Sequence, residues 1–196
     1  MVQAPDKLLT LEEFLALPAS DQRYELVNGR AVPKFQELAM SPKYFHSSLT
    51  GVLFVLLSQW SENRGRSQIE WAVSLVRQDQ SWVPIPDLTY ISYDRLPATW
   101  AEDAPCPVPP ELAIEIISPG QSFGVMVEKA TDYLASGVLR VWVVDTQAQS
   151  ITVFYPDRPP LTCTGATPLI DPLLEGLHLT AQQLFQKAGL INPAQA

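Results

Sequence analysis

The stretch PPELAIEIISPG, residues 109–120, constrains the fold of this chain more than any other. Leu112, Ala113, Ile114, Ile116 and Ile117 form a short apolar run rich in β-branched residues, bounded by prolines and a glycine. Such a run reads as a strand covered on both faces, the kind found inside an α/β sheet. Glu115 stands in the middle of it. An unpaired buried carboxylate costs several kcal/mol or more, so a residue of this type is protonated, paired with a cation or bound to a metal. The sequence therefore predicts a buried strand together with a partner for its one carboxylate.

The length of 196 residues suits one domain spanning 1–196, with roughly 70% of the unfolded surface removed from water. Thirteen Lys and Arg against twenty-one Asp and Glu give a net charge of −8. That balance counts against a broad duplex-binding surface, because phosphate contacts by basic residues supply most of the affinity of such surfaces. It leaves room for a small acidic metal site. No apolar run reaches the ~20 residues needed to cross a bilayer; LTGVLFVLLSQW, at 49–60, is shorter and amphipathic. The N-terminus MVQAPDKLLTLEEF lacks the basic-then-apolar plan of a signal peptide. Cys106 and Cys163 lie far apart without metal-type spacing, and no disulfide is expected. The expectation is a cytoplasmic protein with no membrane association.

Thr10 followed by Glu13 is a capping box ahead of LEEFLAL. Next, RYELVNGRAVPK alternates and turns at Asn28-Gly29, the strongest short hairpin signal in the chain. Ser41-Pro42 reads as the N-cap and first turn of a second helix. Phe45, Leu49, Val52, Leu53, Leu56 and Trp60 keep helical spacing there, and Gly65 marks its expected end. IEWAVSLVR alternates as a strand, QDQS turns, and WVPIPDLTYIS returns, with regular pairing starting at Asp87 because Pro84 and Pro86 cannot donate. After the Glu115 strand come a helix over about 124–136 with Gly137 as its C-terminal glycine, a hairpin of VLRVWVVD and ITVFY, and a last helix capped by Thr180. The predicted order α-β-β-α-β-β-β-α-β-β-α is that of an α/β (α+β) fold, a mixed sheet flanked by helices.

Asp87 opens one strand and Glu115 lies inside another, and a sheet can bring them together as adjacent oxygen ligands. Mg²⁺ favours a few carboxylates supplemented by water and phosphate oxygens. Metal, water and phosphate together make phosphodiester hydrolysis the natural chemistry of such a pair. A nearby lysine would stabilise charge developing on the phosphate.

Pro86-Asp87, Glu115 to Ile117 and the helix EKATDYLASGV resemble the PD-(D/E)XK nuclease superfamily. More closely, the chain resembles the Uma2 family of restriction-endonuclease-like proteins. LTLEEFLALP, YELVNGR, SPKYFHSSL, IPDLTYIS, ELAIEIISP and GVLRVWVVD carry the likeness in order over about residues 9–155. The resemblance implies a restriction-endonuclease-like core and a Mg²⁺- or Mn²⁺-dependent endonuclease acting on nucleic acid, with DNA the expected substrate. Asp87 and Glu115 match the two metal-binding acids, and the backbone carbonyl of Ile116 commonly completes such a site. The usual lysine two positions after the second acid is replaced by Ile117. Its place is taken on the following helix, where K-x-x-x-Y-x-x-x-G fits Lys129, Tyr133 and Gly137. The residues ahead of this lysine, SFGVMV, are apolar or small where family members often carry an acid. Glu25 and His46 also fall on recurrent family positions near the site, Glu25 as a further candidate metal ligand and His46, with Tyr133, as a supporting residue.

Each residue has a plainer reading beside this one. Glu115 could pair with an arginine, Asp87 could cap a strand start, and Glu25 could bridge to Arg23 or Arg30. His46 could cap or pack, Lys129 could face solvent, and Tyr133 and Trp142 could be core aromatics. Cutting both strands of a duplex calls for paired sites, so a homodimer is expected, with the VLRVWVVD and ITVFY hairpin as a candidate contact. The competing functional reading is a non-catalytic relative that keeps the nuclease fold as a binding or assembly module.

Overall fold

The computed structural model describes residues 7–18, 22–34, 44–118 and 120–191. Ser41-Pro42 lies outside them, so the second helix is seen from Tyr44 onward.

The Glu115 strand is the centre of the molecule. It forms β7 (Leu112–Ile116), every residue of which is buried. Five more strands complete its sheet: β3 (Gly65–Ile69), β6 (Leu88–Ser92), β8 (Arg140–Asp145), β9 (Ser150–Phe154) and β10 (Leu161–Thr164). Their order is β10-β9-β8-β7-β6-β3. β7 and β8 run parallel, joined by a helical crossover, and the remaining neighbours pair antiparallel. The sheet is thus mixed, as its element order implies.

Alternation along β7 divides the core between the two faces. Leu112, Ile114 and Ile116 face helix α2 (Tyr44–Trp60), where Leu49, Leu53 and Leu57 form one buried stripe, and helix α4 (Ala181–Lys187). Ala113 and Ile117 face helix α3 (Phe123–Ala135), whose Met126, Ala130 and Tyr133 are buried at helical spacing. Glu115 belongs by parity to this second face. Register places its partner: Leu88 pairs with Ile114 across β6 and β7, and Ile69 pairs with Leu88 across β3 and β6. One step further along these ladders, Asp87 lies opposite Glu115 and Glu70 lies opposite Asp87.

A short helix α1 (Leu11–Leu15) carries the capping box of Thr10 and Glu13. It precedes the hairpin of β1 (Tyr24–Val27) and β2 (Arg30–Pro33). Asn28 and Gly29 turn that hairpin with φ of 50° and 72°, the left-handed pair that a tight hairpin requires. A bridge from Leu26 to Val83 docks it beside a second hairpin of β4 (Leu75–Arg77) and β5 (Gln80–Trp82).

Three expectations change. IEWAVSLVR is not one strand: Glu70 adopts φ 49°, which ends β3 before the chain re-enters extended structure at β4. Gly65 does not end a helix but opens β3, against the backbone of Ile91 and Ser92. The segment after ITVFY adds β10 and the paired β11 (Pro168–Leu169) and β12 (Leu179–Thr180), pieces too short for a periodic signal. Among the described residues no helix is long and apolar enough to cross a membrane, and both cysteines are free and buried.

Candidate active site

Asp87 is buried at the start of β6, and three groups converge on it. Lys34, at the end of the first hairpin, places Nζ 2.8 Å from Oδ1. His46, on the inner face of α2, lies with Nε2 3.1 Å from Oδ2. The backbone N–H of Ile116 donates to the same Oδ2 at 2.8 Å. Lys34 also reaches Oε1 of Glu70 at 3.2 Å, and Arg23 pairs with the other oxygen of Glu70. Asp87 is therefore tied to β7, α2 and β2 at once, more than a strand-start cap requires.

Glu115, on the neighbouring strand, is held from α3. Tyr133 donates its hydroxyl to Oε1 at 2.8 Å, and Lys129 Nζ stands 3.0 Å from the same oxygen. Lys129 and Tyr133 are four residues apart on one helix, so both side chains reach the same point of the sheet. The same ammonium lies 3.1 Å from Oε1 of Glu25, and the N–H of Ile85 donates to that oxygen at 2.8 Å. Lys129 thus bridges two carboxylates rather than facing solvent, and Glu25 pairs with Lys129 rather than with Arg23 or Arg30.

Electrostatics divide the two acids. Burial alone would raise Asp87, but the His46 hydrogen bond and the Lys34 charge outweigh it and hold the carboxyl well below its usual range. For Glu115 burial wins: its pKa is raised despite Lys129, and the charge of Asp87 adds to the effect. Burial would lower Lys129, yet Glu115 and Glu25 more than compensate and its pKa rises above the ordinary lysine value. Tyr133 is raised well above a free phenol by burial and by the Glu115 charge. One acid is fixed as the anion and its neighbour resists ionisation, a separation typical of functional carboxylate pairs.

A family model described as "Uma2: Putative restriction endonuclease" matches residues 11–182. The chain belongs to the Uma2 family. No curated protein matches it. Among solved structures, it is similar to a "putative nuclease belonging to DUF820" from Anabaena variabilis ATCC 29413. The two share 22% identity with a TM-score of 0.75, covering 92% of this chain and 99% of the other. At that identity the likeness shows a common fold, with the mixed sheet and flanking helices described above.

Restriction-endonuclease-like families such as Uma2 generally depend on divalent metals, and the oxygen donors at this site fit a hard cation. One or two carboxylates, with waters and phosphate oxygens, suffice for Mg²⁺. Asp87 and Glu115 lie opposite each other on adjacent strands. The contacts at Glu115 and at Glu25 fall on Oε1 of each, leaving Oε2 outside them. Among the described residues no three of His, Cys, Asp and Glu form one metal-binding group. Glu25 is separated from the Asp87–Glu115 pair by the bridging Lys129. Sequence reasoning missed Lys34 and Glu70 in this Uma2 protein. Lys34 had a visible signal, a lysine closing the YELVNGR hairpin, but its partners lie 36 and 53 residues away.

Proposed function

We propose that this Uma2 protein is a Mg²⁺- or Mn²⁺-dependent endonuclease that hydrolyses phosphodiester bonds of DNA. The observation that carries the reading is the triad of Asp87, Glu115 and Lys129, with the lysine 3.0 Å from Glu115. Asp87, Glu115 and the carbonyl of Ile116 would hold the metal, and Glu25 would serve as an outer carboxylate. A bound divalent ion supplies Lewis-acid polarisation of the phosphate and a water of lowered pKa.

The chain's own residues do the rest. His46 and the Ile116 amide fix the orientation of Asp87 and keep it anionic. Tyr133 fixes Glu115. Lys129, which stays protonated, offsets the negative charge that builds on the phosphate oxygens as water attacks phosphorus and the P–O bond to the leaving oxygen breaks. Asp87, Glu115 and Lys129 are the catalytic residues on this reading, and His46 and Tyr133 position them. The chain is read as one domain, working as a homodimer so that both strands of a duplex can be cut. β8 and β9 are interior strands of the sheet, so a dimer contact at this hairpin would be made by its turn rather than by strand edges. A monomeric mass by light scattering would refute the dimer.

The test is incubation of purified protein with supercoiled plasmid in Mg²⁺ or Mn²⁺, beside Glu115→Ala and a chelator control. Nicking that disappears in both controls supports the nuclease. A second reading, a non-catalytic binding module, is favoured by the ion pairs that already occupy both carboxylates. It predicts intact plasmid and no change in melting temperature on adding metal, whereas a metal bound by the folded state alone stabilises by mass action.

A further inference from the structure

Beside the carboxylates, on the far side of β3, runs a cleft of about 510 Å³, within the range of about 300–1,000 Å³ for small-ligand sites. One of its lining residues is Glu70, whose backbone N–H bonds the carbonyl of Asp87 at 3.1 Å. At Glu70 the cleft therefore lies one strand spacing from a catalytic acid. Gln68, Trp71 and Trp100 also line it, and the exposed Glu102 and Asp103 give it an acidic rim.

The aromatic walls are held in place. Trp71 and Trp100 have ring centroids 5.6 Å apart and planes inclined at 45°, a wedge rather than a closed stack. Trp71 Nε1 donates to the carbonyl of Ala104 at 2.9 Å. Arg66 spends its N–H groups on the carbonyls of Pro97, Ala98 and Trp100, and its guanidinium lies 5.6 Å from the Trp100 centroid. Trp71 and Trp100 stay partly exposed where they line the cleft, so part of each ring, beside the exposed Gln68 amide, is open to a ligand.

We propose that this cleft receives an unpaired nucleobase next to the cleaved phosphate, so that cutting falls where a strand is unpaired, at locally opened sites of a duplex or in a single strand. The inference rests on the nuclease reading and names its substrate class. Stacking on aromatic and guanidinium planes is the common way proteins hold unpaired bases, and it tolerates any sequence. The rim carboxylates repel backbone phosphate but accept from base amines. A base exposes those amines on its pairing edge when it is unpaired, so the same rim that excludes phosphate admits the base.

The test uses the full chain in chelator, which prevents cleavage. Probes are a short single-stranded oligonucleotide carrying 2-aminopurine, the same strand annealed to its complement, and an abasic strand of equal length. Quenching of the 2-aminopurine and binding of the single strand about tenfold tighter than either other probe is the expected result. Trp100→Leu should weaken single-strand binding about tenfold and leave abasic-strand binding unchanged. Equal binding of all three probes, or a folded Trp100→Leu that binds like wild type, overturns the inference. The wild-type comparison decides the matter alone should that variant fail to fold. Base-dependent binding with neither the plasmid nor the single strand cut in metal would refute the nuclease and keep the cleft as a base-binding site. Nicking with no base dependence would refute the cleft and keep the nuclease.

Discussion

Nζ of Lys129 lies 3.0 Å from Oε1 of Glu115 and 3.1 Å from Oε1 of Glu25, so one helix lysine neutralises acids from two different sheets. The Glu115 carboxylate that the sequence places in an apolar strand thereby has its cation.

Removing that cation should cost both stability and activity. Lys129→Ala leaves Glu115 buried without its ion pair, and breaking such a pair costs about 3–5 kcal/mol. Because the lysine side chain retains 20% exposure, a loss near the bottom of that range, about 3 kcal/mol, is expected in urea unfolding. Nicking should fall by about 100-fold or more, as for loss of one charge-stabilising donor. Lys129→Arg should recover most of the stability, and a variant that unfolds like wild type would show the bridge to be idle.

Tyr133→Phe deletes a single hydroxyl from a fully buried ring that also packs on Trp82 at 4.9 Å. The packing survives, while Glu115 loses one donor. A loss of about 1–2 kcal/mol is expected, with metal affinity reduced and substrate KM unchanged. Calorimetric titration with Mn²⁺ alongside chemical denaturation separates these effects.

Asp87 sets the acid limb of stability. Its folded pKa lies below the ordinary 3.8, so its contribution is present above that pH and is lost as pH falls through the folded value. In chelator, Asp87→Asn should be less stable than wild type at neutral pH. The gap between the two should close as the pH drops below about 3.8. A gap that stays constant down to pH 2 would contradict the assigned pairing with Lys34 and His46.

Gly65→Ala tests the sheet itself. An added Cβ would meet the Ile91 carbonyl, Tyr90 Cε2 at 2.7 Å and Ser92 Cα at 2.9 Å. Two of these are backbone atoms that cannot move aside without disturbing the β3–β6 ladder. Overpacking of this kind costs about 1–3 kcal/mol, and melting temperature should fall accordingly.

Features written in local sequence were legible. The Glu115 strand, the Asn28-Gly29 turn, the Thr10 and Thr180 caps and helix α3 were each predicted within a residue or two, because periodicity and turn chemistry act over short spans. Lys129 and Tyr133 were legible through the family resemblance and its K-x-x-x-Y-x-x-x-G pattern, since their helical spacing alone fits a solvent-facing lysine beside a core tyrosine equally well. Lys34 and Glu70 were not, since their roles come from hairpin docking and strand register across 36 and 53 residues. Gly65 misled for a related reason: a glycine after a helix resembles a terminator, and its need for space arises from a strand reached only through tertiary pairing. The left-handed Glu70 that divides IEWAVSLVR likewise has no local signature, as glutamate is an unusual residue there.

The central claim is that Asp87 and Glu115 hold a metal that cleaves nucleic acid, and one paired measurement addresses it most directly. Wild type and Glu115→Gln would be titrated with Mn²⁺ by calorimetry, and the same samples assayed for nicking of supercoiled plasmid. The account predicts metal binding and nicking in the wild type, and loss of both in a folded Glu115→Gln. Nicking that persists in the variant, or a wild type that neither binds Mn²⁺ nor nicks, would contradict it.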